Sequence, residues 1–305
     1  MTSGLGPTIS EVGYQVPAIL LLGFFPMLLV VFGYRELNNA MPDSGTSFAW
    51  ATRAFGPWVG WMTGWGLITA TILVLSNLAA VAVDFLFILL AQVFHNPDLA
   101  DLTRNLWINI PITALFLAVA AWISYRGVEE TKIFQYVLVG FQAIALTWYI
   151  VAAFVGVSNG TAFDPTPVSP EWFNPFAVGD LSVVIAGVSL SIFLFWGWDA
   201  VITMNEEAKD PEKTPGRAAL LTILSIMAVY LLVTVATLSY AGISTDGEFS
   251  AGNPENQESI FAVLSGPIMG PFAILMSIAI LSSSAASLQS TMISPSRTIL
   301  AMGHY

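Results

Sequence analysis

One segment of the sequence, FLFWGWDAVITMNEEAKDP at residues 193–211, places aromatic residues, a glycine and several acids at the end of a long apolar run. An acid inside a membrane-spanning helix is costly and usually has a functional role. Gly197, between two tryptophans, would permit the helix to break. A break within the membrane exposes backbone N–H and C=O groups, which are tolerated where they line a cavity or contact a ligand. The segment therefore predicts a broken helix at Gly197 that could bind a polar solute.

The groups on either side of this break indicate what such a site could hold. The backbone carbonyls of Phe193, Phe195 and Trp196 would end the first half-helix with partial negative charge, which suits an ammonium group. Asp199 could cap the first turn of the second half-helix. Trp196 and Trp198 would supply walls for the site and a face for a cation–π contact.

Each of these residues also has a purely structural explanation. Gly197 could be a packing notch between aromatic side chains, and Asp199 could be a helix cap that never contacts a ligand. The two tryptophans could be interfacial anchors, although their position near the middle of the apolar run does not match an aromatic belt. A break in the helix explains the whole segment best.

The composition indicates that this chain is a membrane protein. Of its 305 residues, 56% are hydrophobic and 10% are charged, which is too much apolar surface for one soluble core. The net charge of -11 argues against binding to nucleic acid and against polybasic attachment to anionic lipid. There is no cysteine, and His95 and His304 lie far apart, so the sequence predicts no metal site and no cofactor.

Seven predominantly apolar segments reach or exceed about 20 residues, the length that a membrane-spanning helix requires. They are residues 17–34, 58–93, 106–125, 133–157, 181–204, 218–242 and 271–293. All basic residues except Arg104 fall in alternate connections, and this asymmetry predicts that those connections are cytoplasmic. These connections hold Arg35 and Arg53, Arg126 and Lys132, Lys209 to Arg217, and Arg297. We therefore expect residues 1–305 to form one multi-pass domain in the lipid bilayer of the cell membrane.

The two ends of the chain predict a piece of a longer protein. Residues 1–16 are too short to span the bilayer and lack the basic residues of a signal peptide, so we expect half of a helix there. Pro17 would open the next span. At the other end, the chain stops soon after an apolar span.

Three blocks of the sequence resemble one family of membrane transporters. Residues 41–65, MPDSGTSFAWATRAFGPWVGWMTGW, resemble the cytoplasmic connection after the second helix of amino acid/polyamine/organocation permeases. The block FWGWDAVITMNEEAKDPEKTPGRA resembles their sixth helix and its exit, and SSSAASLQSTMISPSRTILAM is similar to the end of their eighth. The blocks occur in the family's order and cover nearly the whole chain.

This resemblance implies a particular fold, of which the chain would contain only a part. The family's fold is all-α, with two inverted repeats of five helices and with helices one and six broken halfway across the membrane. Residues 1–16 would then be the outer half of helix one, the seven spans would be helices two to eight, and the later helices would be absent.

The resemblance also implies roles for single residues. Phe193 matches the aromatic gate over the substrate, and Asn77 matches a polar residue of helix three that faces it, although an interhelical hydrogen bond would equally explain Asn77. Gln142 stands where some members carry a lysine that replaces a sodium ion. Ser282, Ser283, Ser284 and Ser287 could bind sodium or could be small packing residues. The coupling ion, proton or sodium, therefore stays open.

An acidic pair follows the broken helix. Glu206 and Glu207 are adjacent, so on a helix they would point about 100° apart and could not face each other across a substrate as catalytic carboxylates. The resemblance favours a cytoplasmic gate in which they pair with Arg53 or Arg126, and a solvated turn is the alternative.

Together these features predict a secondary active transporter of an amino acid or related amine that works by alternating access. The alternative is a sensor, or an inactive permease, that binds the solute without transporting it. An enzyme is not expected, because no catalytic constellation is visible within the spans.

Overall fold

The computed structural model describes residues 2–126 and 132–304, so most of the connection between Arg126 and Lys132 lies outside the described residues. Within them the regular secondary structure is helical and contains no strand. The α-helices are α1 (Thr2–Val12), α2 (Val16–Ala40), α3 (Ser47–Phe55), α4 (Pro57–Phe94), α5 (Leu106–Arg126), α6 (Lys132–Asn159), α7 (Leu181–Leu194), α8 (Thr214–Ala241), α9 (Ile260–Met269) and α10 (Ala273–His304). The predicted all-α membrane architecture is confirmed.

Seven helical segments of the described chain are long and apolar enough to cross a membrane, as many as the sequence predicts. The second is a single helix, α4, whose 38 residues extend over roughly 57 Å. This length exceeds the hydrocarbon thickness of about 30 Å, so α4 must tilt or project beyond it.

Several helix bounds differ from the expected spans. α2 continues to Ala40 and α10 continues to His304, because the apolar part of a helix is shorter than the helix itself. The expected helix over 181–204 ends as an α-helix at Leu194. α9 was missed, because its ten residues are too few for a criterion based on spanning length.

The helices pack as two groups. In the first group, α2 packs against α7 and α8, and α1 packs against α7. In the second group, α10 packs against α4, α5 and α6, with α4 as its most extensive partner. The groups meet where α6 packs on α8, and α3 lies against α4 and α10 of the second group.

The outer end, the end predicted to face away from the cytoplasm, is closely packed. Leu5 and Ile9 of α1 are almost completely buried. The ring of Tyr14 stacks on that of Trp172 with centroids 5.1 Å apart, and its hydroxyl forms a hydrogen bond of 2.9 Å with the Thr166 hydroxyl. The outer end is therefore held by the packing of α1 side chains and by the stacking and hydrogen bond of Tyr14, which follows α1.

A buried amide pair joins α2 to the chain that follows the broken helix at the inner end. The Asn205 amide donates to Asn38 Oδ1 over 2.9 Å. The Asn38 amide in turn donates to the backbone carbonyls of Pro211 and Glu212, at 2.8 and 3.0 Å. Both asparagines are fully buried, so these hydrogen bonds are shielded from water.

We predict that Asn38→Leu lowers the thermal stability of the protein. The substitution removes three hydrogen bonds and leaves the buried Asn205 amide without its acceptor, at a cost of about 1–3 kcal/mol. Thermal unfolding of the purified complete gene product in detergent measures the effect. Asn159→Ala, at the exposed outer end of α6, is the control and should leave the melting temperature unchanged. Equal melting temperatures for both variants would show that the pair is not stabilising.

Candidate substrate-binding cavity

The break predicted at Gly197 is observed. Helix α7 begins at its cap Asp180, whose carboxylate accepts hydrogen bonds from the Ser182 N–H and hydroxyl that lower the pKa of this acid. The helix ends at Leu194, and the next N–H groups turn back, with Trp196 donating to the Phe193 carbonyl over 3.2 Å. A short 3-10 helix, Trp198–Val201, follows.

The backbone conformation explains why a glycine stands at this point. Gly197 has φ 104° and ψ -6°, a left-handed conformation that residues with a side chain rarely adopt. A Cβ atom built on Gly197 would meet nothing within 4 Å. The requirement is therefore conformational, and the packing-notch explanation of Gly197 does not fit this geometry.

Aromatic contacts hold both sides of the break. Phe195 is fully buried between Phe24 of α2 and Tyr230 of α8, with ring centroids 5.7 Å away on each side. On the other side, Trp198 packs edge-on against Tyr34 of α2, at 5.1 Å between centroids. These contacts fix the broken segment against the first group of helices.

Tyr230 also satisfies one backbone group that the break exposes. Its hydroxyl donates to the Leu194 carbonyl over 3.2 Å. The last carbonyls of a helix have no partner within the helix, so this donor stabilises the end of α7. No sequence motif singles out Tyr230, although a tyrosine in the middle of the apolar run of α8 was a visible signal.

The break faces a cavity of about 420 Å³ that lies between the two groups of helices. Its aliphatic lining comes mainly from Val74, Leu78, Val81, Leu146, Leu194, Ile226, Val229, Met276 and Ile280. Its aromatic lining comes from Phe193, Trp196, Trp198, Tyr230 and Phe261. Its polar lining comes from Asn77, Gln142, Thr222, Ser283, Ser284, Ser287, Ser290 and Thr291. The volume lies within the range of about 300–1,000 Å³ that is usual for small-molecule sites.

The structure brings most of the predicted site residues to this cavity. Those that line it are Asn77, Phe193, Trp196, Gly197 and Trp198. Phe195 and Asp199, which the sequence also predicts to bind substrate, are not among the described residues that line the cavity. Phe195 is instead a packing residue of the helix break.

Asp199 lies within the first turn of the short 3-10 helix, close to the backbone N–H groups of Asp199 itself and Ala200. The N-cap position of this 3-10 helix is Gly197, so Asp199 lies within the first turn rather than at the cap position predicted for it. The chain after the break continues as turns and a second 3-10 helix, Asn205–Glu207, rather than as an α-helix. The described contacts of Asp199 are therefore with local backbone N–H groups, and Asp199 is absent from the described lining of the cavity.

The acidic pair at the inner end has a different partner from the expected one. Arg297 of α10 forms a hydrogen-bonded ion pair with Glu207 and lies 4.0 Å from Glu206. Arg53 lies on α3 beside Met41, and the Arg126 guanidinium lies over the Trp122 ring at 5.0 Å. The sequence could not identify Arg297, because it is 90 residues from Glu207 in the chain.

The position of this ion pair relates it to the cavity. Ser290, which lines the cavity, precedes Arg297 by two turns on the same face of α10. Arg297 and its two acids therefore lie below the cavity, on the side predicted to be cytoplasmic. Within the described residues, no group of three or more His, Cys, Asp or Glu residues could hold a metal ion.

These features define a class of protein: a multi-pass membrane protein with a helix broken beside a mid-membrane cavity of small-solute size. Residues 2–304 match the model of the amino acid permease family, and the chain belongs to that family. The curated relatives of the chain are transporters, which supports the expectation that it is not an enzyme. Its family and its seven long apolar helices support a multi-pass location in the cell membrane.

Individual relatives transport different solutes. The chain is 27% identical to the branched-chain amino acid permease BcaP of Lactococcus lactis, over 74% of this chain and 49% of the relative. It is 25% identical to the methylthioribose transporter of Bacillus subtilis, over 82% of this chain and 54% of the relative. It is 24% identical to the low-affinity putrescine importer PlaP of Escherichia coli, over 79% and 50%. The chain thus spans about half the length of the curated relatives it matches.

We predict that Gly197→Ala destabilises the protein by about 1–2 kcal/mol, because an L-residue is strained at this left-handed conformation. Gly66→Ala is the matched control: Gly66 lies within α4 with open space around its Cβ position, so alanine should be neutral or slightly stabilising there. Thermal unfolding of both variants measures the difference. If the two variants were equally stable, the conformational requirement at Gly197 would be refuted.

Proposed function

We propose that the protein is a secondary transporter that moves an amino acid or related amine across the membrane by alternating access. The observation that carries this proposal is the broken helix α7, whose carbonyl end faces a cavity between two groups of helices. Exposed backbone groups inside a membrane protein favour a polar solute at that point. The names of the relatives, which include carriers of amino acids and of putrescine, support a small amine-containing solute.

In the proposed complex the substrate's amino group lies at the carbonyl end of α7. The partial negative charge of that end favours a cation. The Tyr230 hydroxyl donates a hydrogen bond to the Leu194 carbonyl at this end. When an ammonium group binds, this hydroxyl would either move away or share the carbonyl with it. The substrate carboxylate would meet donors beyond Gly197 and the amide of Asn77, which lines the opposite wall.

Alternating access would come from movement of the first group of helices against the second. The cavity lies between these groups, so a change in their angle opens one end and closes the other. At the inner end, the ion pair of Arg297 with Glu206 and Glu207 links α10 of the second group to the segment that follows the break. We propose this pair as the cytoplasmic gate, with Arg297 in the place that Arg53 holds in the sequence-based hypothesis.

Uptake by the purified complete gene product in liposomes tests the transport function. The expected result is saturable uptake of at least one labelled amino acid or polyamine, measured with proton, sodium and no gradient. Asn77→Ala should raise KM about five- to tenfold, because one substrate hydrogen bond contributes roughly 1–1.5 kcal/mol. Asn159→Ala, at the exposed end of α6, should leave KM unchanged.

The same assay distinguishes the alternatives. Substrate-dependent stabilisation of the protein without uptake would replace the transporter with a sensor. A protein that neither takes up nor binds any tested amine would contradict the proposed function altogether.

The gate is testable by thiol labelling, because this chain contains no cysteine. In a background free of other cysteines, Ser290→Cys places a thiol in the cavity wall. We predict that Arg297→Gln accelerates its labelling by a membrane-impermeant maleimide from the cytoplasmic side, by about two- to fivefold. This factor corresponds to ~0.4–1 kcal/mol, which is typical of a partly exposed ion pair.

Arg53→Gln is the matched control and should leave the labelling rate unchanged. If Arg53→Gln accelerated labelling and Arg297→Gln did not, the gate would be the one that the sequence alone predicts. Protection of the thiol by a solute that the uptake assay identifies as transported would further place Ser290 on the substrate path.

A further inference from the structure

The walls of the cavity differ in chemical character. Val74, Leu78 and Val81 project from one face of α4, and Ile226 and Val229 project from α8 into the same space. Such a pair of aliphatic walls favours an apolar group between them, because moving each methylene group from water into an apolar site lowers the free energy. A substrate that filled this space with a charge would lose its hydration instead.

The polar groups of the lining are neutral. They are amides and hydroxyls, and none of the described side chains that line the cavity carries a formal charge. One hydroxyl is already used within its own helix: Ser290 donates to the backbone of Ala286 and Ser287, both at 3.2 Å. The cavity wall therefore provides donors and acceptors for a zwitterion but no counter-ion for a second charge.

The acids closest to the cavity lie outside its lining. Asp84 is one turn beyond Val81 on α4, beside Thr103 and within electrostatic range of Glu258. Asp199 follows Trp198 in the chain but is not among the described lining residues, and Glu206 and Glu207 are paired with Arg297 at the inner end. A cationic solute would be attracted towards either mouth by these acids, but it would lose that attraction on entering the aliphatic part of the cavity.

We infer that the cavity selects amino acids with uncharged, apolar side chains, such as leucine or phenylalanine, over lysine, diamines and acidic amino acids. This inference rests on the proposed function, because it assigns the amino and carboxylate groups to the helix break and the side chain to the walls. The aliphatic residues of α4 and α8 are then the specificity-determining residues. The faces of Trp196 and Phe193 line the same space and accommodate an apolar side chain equally well.

Ligand-dependent thermal stabilisation of the complete gene product in detergent tests the inference. The probes are L-leucine, L-phenylalanine, L-alanine, L-lysine, L-glutamate and putrescine, each titrated to saturation. We expect leucine and phenylalanine to bind at least tenfold more tightly than alanine, because a hydrophobic pocket discriminates by about that factor per missing group. Lysine, glutamate and putrescine should produce no saturable stabilisation at a hundred times the leucine Kd.

An isosteric variant tests the role of charge directly. Gln142→Glu introduces a carboxylate into the lining on α6 and should raise the affinity for lysine relative to leucine at least tenfold. Gln142→Met, which removes the amide without adding a charge, is the control and should leave that ratio unchanged. An unchanged ratio in both variants would show that the cavity charge does not set selectivity.

The outcomes separate the two proposals. Lysine or putrescine binding as tightly as leucine would overturn the apolar selectivity while leaving the transporter proposal intact, and would assign the recognition of the cation to the aromatic faces. Failure of every probe to bind, together with absent uptake, would instead contradict the proposed function on which the inference rests.

Discussion

The break in helix α7 imposes the constraint on which the rest of this structure depends. A membrane offers no water to a peptide group, so each exposed N–H or C=O near Gly197 must find a partner in the protein or in a ligand. The protein meets part of this demand with turns, in which Phe195 and Trp196 donate to carbonyls three residues earlier. It meets another part with the Tyr230 hydroxyl. What remains is a polar patch in an apolar cavity, which is the requirement for binding a zwitterion there.

The aromatic side chains around the break keep it in one conformation. Phe195 is held between two rings on different helices, and Trp198 contacts Tyr34, which also packs edge-on against Trp50 of α3 at 5.2 Å. Tyr34 thus connects the broken segment to the short inner helix α3. The rings of Trp198, Tyr34 and Trp50 therefore form a continuous packed contact from the cavity wall to α3.

The sequence predicted those features that depend on local chemistry. Gly197 between tryptophans indicated the break, because the conformational preference belongs to the residue itself, and the continuous apolar run over residues 58–93 predicted the single helix α4. Features that depend on distant partners were inaccessible. Arg297 could not be paired with Glu207 from the sequence, and α9 was too short to register as a span. Phe195 looked like its lining neighbours, because a sequence does not tell which ring of an aromatic cluster turns towards a cavity.

The contacts at the outer and inner ends of the helix bundle differ in kind. The outer end is closed by almost fully buried side chains such as Leu5 and Ile9 and by the stacked rings of Tyr14 and Trp172, all of which must be separated for opening. The inner end combines the buried asparagine pair with an ion pair whose acids are 58% and 44% exposed, and such exposed pairs contribute little free energy. Under the proposed transport function, the alternating states must lie within a few kcal/mol of each other to exchange. We therefore expect the half-exposed ion pair to break before the buried asparagine pair when the inner end opens.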